Sequence, residues 1–151
     1  MKSARVKDLT IYAPKSRDEL IDFAFNKNSI LVAVNAEKIL NSDTITKDII
    51  NRNIGYPDGI GAILALRKKK IRNIMKIPGC ELWLEIISKY YKTKSFYLVG
   101  GKQKVIEKTV NKLSNEFVGI KICNFRNGYL RDKKEEEELI DDIIKHNADI
   151  I

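Results

Sequence analysis

The sequence predicts an α/β fold, a mostly parallel sheet with helices on both faces. Three observations carry this expectation. Short apolar runs at residues 30–34, 95–99 and 120–125 read as parallel strands, the first with the continuous Ile/Leu/Val character of a buried one. Segments of about ten residues or more with helical apolar spacing alternate with them. Glycines or a short polar residue follow the strands, on the side where open α/β sheets receive ligands.

Taken in order, residues 9–12 read as a short strand. Ser16-Arg17-Asp18-Glu19 is a capping box: Ser16 is the N-cap, and Glu19 lies three residues on. Leu20, Ile21, Ala24 and Phe25 then repeat at helical spacing. After the strand at 30–34, residues 37–53 read as helix broken near Asn41-Ser42-Asp43. A short strand leads into Pro57, and an apolar run predicts a helix over 60–69. Residues 70–79 form a loop closed by Pro78-Gly79. Leu82, Trp83, Ile86, Ile87 and Tyr90 mark the next helix. The strand at 95–99 ends in Gly100-Gly101, and Ile106, Val110, Leu113 and Phe117 mark another helix.

Asn127-Gly128-Tyr129 is a turn after the strand at 120–125. Asp132 and Glu135 to Glu138 load the first turn of a last helix with acid, as the helix dipole favours, and Leu139, Ile140, Ile143 and Ile144 form its expected buried face. Ala148-Asp149-Ile150-Ile151 reads as the opening of a further strand, so on this reading the fold is incomplete at its C-terminal end.

The 151 residues predict one domain with a real core, and 44% hydrophobic with 32% charged residues excludes a disordered polypeptide. No apolar run approaches the roughly 18–20 residues that span a bilayer, and no apolar stretch follows the basic N-terminus as a signal peptide requires. Cys80 and Cys123 have no C-x-x-C partner and read as reduced, buried thiols. The net charge of +8 favours acidic partners: nucleotides, nucleic acid or an anionic membrane surface. The cations concentrate at Arg67-Lys68-Lys69-Lys70-Ile71-Arg72, with Lys76 close behind. Such a run serves equally as a solvated helix end or as a phosphate or membrane contact.

Several chemistries are excluded. His146 is the sole histidine and reads as a solvated residue at a helix end, so a Ser-His-Asp or Cys-His centre or a histidine-rich zinc site is not expected. Gly100-Gly101-Lys102-Gln103-Lys104 lacks P-loop spacing, and no G-x-G-x-x-G fingerprint or D-x-D pair occurs. What remains is Gly55-Tyr56-Pro57-Asp58-Gly59-Ile60-Gly61, one carboxylate between a proline and two glycines ahead of a helix. Gly59 and Gly61 would let backbone N–H groups approach a phosphate, with Asp58 at the lip of that site to take a proton. Asp58 as a helix cap in a glycine turn is the other reading. Carboxylate, glycine turns and cations together suit metal-free transfer chemistry on a phosphorylated substrate.

The order V-N-A-E-K-I (34–39), P-D-G-I-G (57–61), K-I-P-G-C-E-L (76–82), Y-L-V-G-G-K (97–102) and N-G-Y (127–129) resembles the WecG/TagA/CpsF glycosyltransferase family over roughly residues 8–151. The resemblance implies a Rossmann-like α/β core. It also implies a bacterial enzyme that moves an N-acetylmannosamine-type sugar from a UDP-sugar donor to a lipid-diphosphate-linked sugar acceptor. Products of that family serve teichoic acids, capsules and related polysaccharides. By the same resemblance Asp58 is the catalytic base; Asn35, Gly59, Gly61, Lys76, Gly100, Gly101 and Tyr129 bind substrate; no cofactor or metal is needed. The family's Thr ahead of the Asn falls on Ala33, and its Arg falls on Lys76, which keeps the charge without the two-pronged fork.

The family pattern continues into V-G-L-G-x-P-K-Q-E, which is absent here, so a poor enzyme is expected from these residues alone. The implied location is cytoplasmic, with a peripheral place at the inner face of the plasma membrane as an option. The alternatives are an inactive truncated relative and a basic nucleotide- or nucleic-acid-binding module. The second lacks aromatic residues within its basic run, and no nucleic acid partner is expected.

Overall fold

A computed structural model describes residues 1–151 as an α/β protein of two compact units, Met1–Ile86 and Ile87–Ile151. The first unit opens on an antiparallel hairpin, β1 (Lys2–Val6) and β2 (Leu9–Ala13), in register from Lys2 opposite Ala13 to Val6 opposite Leu9. β1 is absent from the sequence expectation. Its Lys2, Ser3 and Arg5 are solvent-facing, and only Val6 is buried, so the strand follows from pairing with β2 rather than from an apolar run. Helix α1 (Arg17–Lys27) begins as expected: the Ser16 Oγ accepts the Glu19 N–H at 3.1 Å. The Glu19 carboxylate reaches past the cap and accepts from the Lys15 N–H instead, at 2.7 Å.

β3 (Leu31–Val34) and β4 (Ile54–Pro57) pair in parallel, from Leu31 opposite Ile54 to Val34 opposite Pro57. Between them α2 (Ala36–Asn41) and α3 (Thr44–Arg52) are separate helices, because the Asp43 carboxylate caps α3 by accepting the Thr46 N–H at 2.7 Å. Gly55 lies where a Cβ would come 2.9 Å from Ile50 of α3 and 3.0 Å from the Thr10 carbonyl of β2. Any larger residue at that point of β4 would separate the layers. Helix α4 (Ile60–Lys68) follows, and α5 (Gly79–Tyr90) leads into the second unit. Leu9, Ile11, Val34, Ile50, Ala62 and Leu66 are fully buried and form the core of the first unit.

In the second unit β5 (Ser95–Val99) and β6 (Lys121–Arg126) pair in parallel, with an irregularity between Phe96 and Tyr97. Helices α6 (Gln103–Glu116) and α7 (Lys133–His146) follow the two strands. Ile150 forms a parallel bridge to Phe96: its N–H donates to the Ser95 carbonyl at 3.0 Å and its carbonyl accepts from Tyr97 at 2.8 Å. The strand opening read at the C-terminus is therefore present. Asp149 anchors it, accepting from both the Ser95 N–H and the Ser95 hydroxyl, while Lys94 adds an ion pair; together they hold its carboxyl down at about 2.

Five expectations are corrected. The strands form three two-stranded sheets rather than one continuous sheet. β3 is only partly buried apart from Val34, and Ile30 is exposed. The apolar face of α7 is largely open, with Ile140 and Ile144 exposed and Leu139 and Ile143 half-buried. Cys80 is exposed and Cys123 half-buried, so the reading of both as buried thiols fails. His146 is not simply solvated either. Its ring stands edge-on to Tyr97 at 6.0 Å and its Nδ1 lies 3.2 Å from the Asp142 carboxylate.

Candidate active site

The site in the first unit is built on the paired ends of β3 and β4. The Asp58 N–H donates to the Val34 carbonyl at 2.9 Å, extending the parallel ladder by one bond. Asp58 is half-buried. Asn35, the residue after Val34, caps α2: its Oδ1 accepts the Lys38 N–H at 2.9 Å. Its Nδ2 amide is left to donate elsewhere.

The two glycines after Asp58 do different things. Gly59 has φ +89°, a conformation costly for any other residue, and a Cβ there would meet nothing within 4 Å. It is the N-cap of α4 and offers no side-chain acceptor to the free N–H groups of the first helical turn, so their positive potential faces outward. Gly61 lies where a Cβ would be 2.7 Å from the Ala36 Cβ. Its smallness is used to bring the first turns of α2 and α4 together, so the space beside it belongs to Ala36 rather than to a ligand.

Lys76 is exposed on a loop fixed at both neighbours. The Met75 N–H donates to the Pro14 carbonyl at 2.8 Å, and the Ile77 N–H donates to the Pro57 carbonyl at 3.2 Å. Ile77 is fully buried, which ties the loop to the residue just before Asp58. Tyr56 is a residue that motif reading does not single out. It is 4% exposed, and its hydroxyl would lie 3.1 Å from a Cβ on Gly79, so Gly79 makes room for it at the start of α5. Burial first, then the negative charges of Asp58 and Cys80, push its phenol up to about 12. The available signal was the tyrosine inside an otherwise small-residue stretch, Gly55 to Gly61.

In the second unit the expected glycine turn and the N-G-Y turn meet. A Cβ on Gly128 would lie 3.1 Å from the Gly100 Cα, and the Gly128 N–H donates to the Gly101 carbonyl at 3.0 Å. Gly100 and Gly101 both have positive φ, +154° and +64°. Asn127 organises the second turn: its Oδ1 accepts the Tyr129 N–H at 3.0 Å and its Nδ2 donates to Gln103 at 3.2 Å. Tyr129 is thereby displayed on the surface, 64% exposed.

Deeper in this unit Tyr97, Asn124 and Asp142 share hydrogen bonds of 2.5 and 2.7 Å, both received by one Asp142 oxygen. Burial and this carboxylate raise the Tyr97 phenol to about 12. This network ties β5, β6 and α7 together and is a packing device, invisible to motif reading because its members are far apart in sequence.

Asp58, Asn35, Gly59 and Lys76 thus belong to one unit at one strand end, and Gly100, Gly101 and Tyr129 to a second cluster in the other. No helix is long and apolar enough to cross a membrane. Residues 5–151 match the Glycosyl transferase WecG/TagA/CpsF family, which covers both clusters and nearly the whole sequence. The protein belongs to this family of glycosyltransferases, which act in the synthesis of cell-surface polysaccharides.

Proposed function

We propose that the protein carries the machinery of an inverting transfer in which an N-acetylhexosamine of the N-acetylmannosamine type moves from a UDP-sugar to a lipid-diphosphate-linked acceptor. The observation that carries this reading is the backbone hydrogen bond of Asp58 to Val34, which fixes Asp58 directly before Gly59 and the uncapped start of α4. The Asp58 carboxylate takes the proton of an acceptor hydroxyl. That oxygen attacks the anomeric carbon from the face opposite UDP. The bond from the anomeric carbon to the β-phosphate oxygen breaks, and UDP departs with the electron pair. The reaction needs no metal, because Lys76 and the backbone N–H groups at the start of α4 receive the charge that develops on the diphosphate.

Taken by itself, the cluster of Gly100, Gly101 and Tyr129 in the second unit has features that suit a nucleotide. Two glycines in positive φ permit close backbone approach, and an exposed tyrosine ring offers a face for a base. An Asn35 amide donor beside Asp58 suits a sugar hydroxyl or acetamido oxygen. The test is the anomeric configuration of the product by NMR, with an α-linked UDP-sugar as donor. Single-displacement chemistry gives the β-linked product. Retention of the α configuration would contradict a role for Asp58 as base in direct displacement.

A further inference from the structure

Tyr56 and Tyr97 are both buried, but their hydroxyls are treated differently. The Tyr97 hydroxyl donates to the Asp142 carboxylate at 2.5 Å. The Tyr56 hydroxyl bonds no protein group: burial and the charges of Asp58 and Cys80 raise it, with no hydrogen bond among the causes. A buried hydroxyl without a partner costs free energy that a phenylalanine in its place would not. Packing alone therefore gives no reason for a tyrosine here. The hydroxyl is not sealed in, either. The polar side-chain atoms that are both enclosed and unbonded are Arg17 Nε and Ser42 Oγ. The tip of Tyr56 thus reaches an opening. Ala33 pairs with Tyr56 across β3 and β4 and lies on the same face. A Cβ on Gly79, the first residue of α5, would stand 3.1 Å from the Tyr56 hydroxyl and 3.5 Å from the Ala33 Cβ. With no side chain at Gly79 and only a methyl at Ala33, the room in front of the hydroxyl stays free. Asp58 lies two residues beyond Tyr56, on the same side of the strand by alternation, and its charge acts on the phenol.

We propose that Tyr56 is an acceptor-binding residue, whose hydroxyl donates a hydrogen bond to an oxygen of the acceptor sugar next to the hydroxyl that Asp58 deprotonates. Its place beside the attacking oxygen rests on the reading of Asp58 as the base; the contact itself is measured separately. The phenol is held near 12, so it keeps its proton and donates, and it does not compete with Asp58 as a base. A neutral donor beside a carboxylate suits an uncharged sugar oxygen. A phosphate in the same place would be repelled by Asp58. Two contacts on one sugar ring, from Tyr56 and from Asp58, fix which hydroxyl faces the carboxylate. Tyr56 then helps to decide which position of the acceptor is glycosylated.

The experiment measures binding and turnover of an N-acetylglucosamine joined through diphosphate to a short lipid chain, together with its monodeoxy analogues. Tyr56→Phe should be at least as stable as wild type in urea, because the hydroxyl it loses has no protein partner. Its affinity for the acceptor, read by calorimetry, should fall on the order of tenfold, with donor affinity unchanged. For one deoxy analogue alone, wild type should bind as weakly as Tyr56→Phe, and the two proteins should not differ. Gly79→Ala places a methyl group in the same space, so it should weaken acceptor binding in wild type and add little to Tyr56→Phe. Unchanged acceptor affinity in Tyr56→Phe would overturn the proposal. So would a loss of donor affinity in its place, or a deficit of the same size for every analogue, which marks a distorted site. Asp58→Asn separates the two readings. Turnover by Asp58→Asn with the single-analogue pattern intact would refute the base and leave the Tyr56 contact standing. Wild-type acceptor binding in Tyr56→Phe beside an inactive Asp58→Asn would do the reverse.

Discussion

Asp58 is hydrogen-bonded through its N–H to the Val34 carbonyl at 2.9 Å, one step past the last paired residues of two parallel strands. Because Val34 pairs with Pro57, Asn35 and Asp58 leave β3 and β4 at the same level. Each lies at the start of a helix, and the close approach of Gly61 to Ala36 holds those two helix starts against each other. The site is therefore fixed by strand register and by the absence of a Cβ at Gly61.

The Gly61 packing has a direct consequence. Gly61→Val should destabilise the protein by about 1–3 kcal/mol, because its Cβ and methyl groups must displace the Ala36 Cβ. Urea unfolding measures this. Ala36→Gly in the same protein should restore part of the loss. Unchanged stability in Gly61→Val would mean that α2 and α4 are not packed through this pair.

Asn35 has two roles that substitution can separate. Asn35→Ala removes the cap of α2 and should cost about 1 kcal/mol. Asn35→Asp keeps an oxygen for the Lys38 N–H and should unfold close to wild type, while it loses the amide donor. Sugar transfer should fall in both variants if the amide binds substrate. Full activity in Asn35→Asp would leave Asn35 a cap and nothing more.

Two phenols should titrate late. Tyr56 and Tyr97 are both raised to about 12, chiefly by burial, from an ordinary value near 10. The sign follows from the raised folded values. Each phenol contributes stability that is fully present below pH 10 and is lost as pH rises towards about 12, since the unfolded state releases the proton first. Ultraviolet titration at the tyrosinate band should show two late components. Tyr56→Phe and Tyr97→Phe should each remove one of them, and a single transition near pH 10 in the folded protein would contradict the burial of both.

Much of this was legible in the sequence because it is local. Ser16 caps α1 as its spacing to Glu19 suggests, and the break read near Asn41-Ser42-Asp43 is real, with Asp43 found to cap α3. The Gly59 turn, the loop closed by Pro78-Gly79 and the strand opening at Ile150 were equally readable. What was not legible depends on distant residues. β1 exists through its pairing with β2, the role of Gly61 depends on Ala36, and Tyr56 matters through Gly79. The approach of Gly128 to Gly100 likewise joins two separately read turns that no spacing rule connects. The open face of α7 shows the limit of periodicity: helical spacing identifies an apolar side without saying that anything covers it.

The Asp58 carboxylate is the proposed base of the transfer. The most direct measurement is UDP release with donor and lipid-diphosphate acceptor, comparing wild type with Asp58→Asn in the protein as its gene encodes it. The amide keeps the shape and the backbone bond to Val34 but cannot take the proton. Turnover should fall on the order of 10²–10⁴-fold while donor binding, read by calorimetry, stays near wild type. Near-normal turnover by Asp58→Asn would contradict the account and reduce Asp58 to a structural residue at the end of β4.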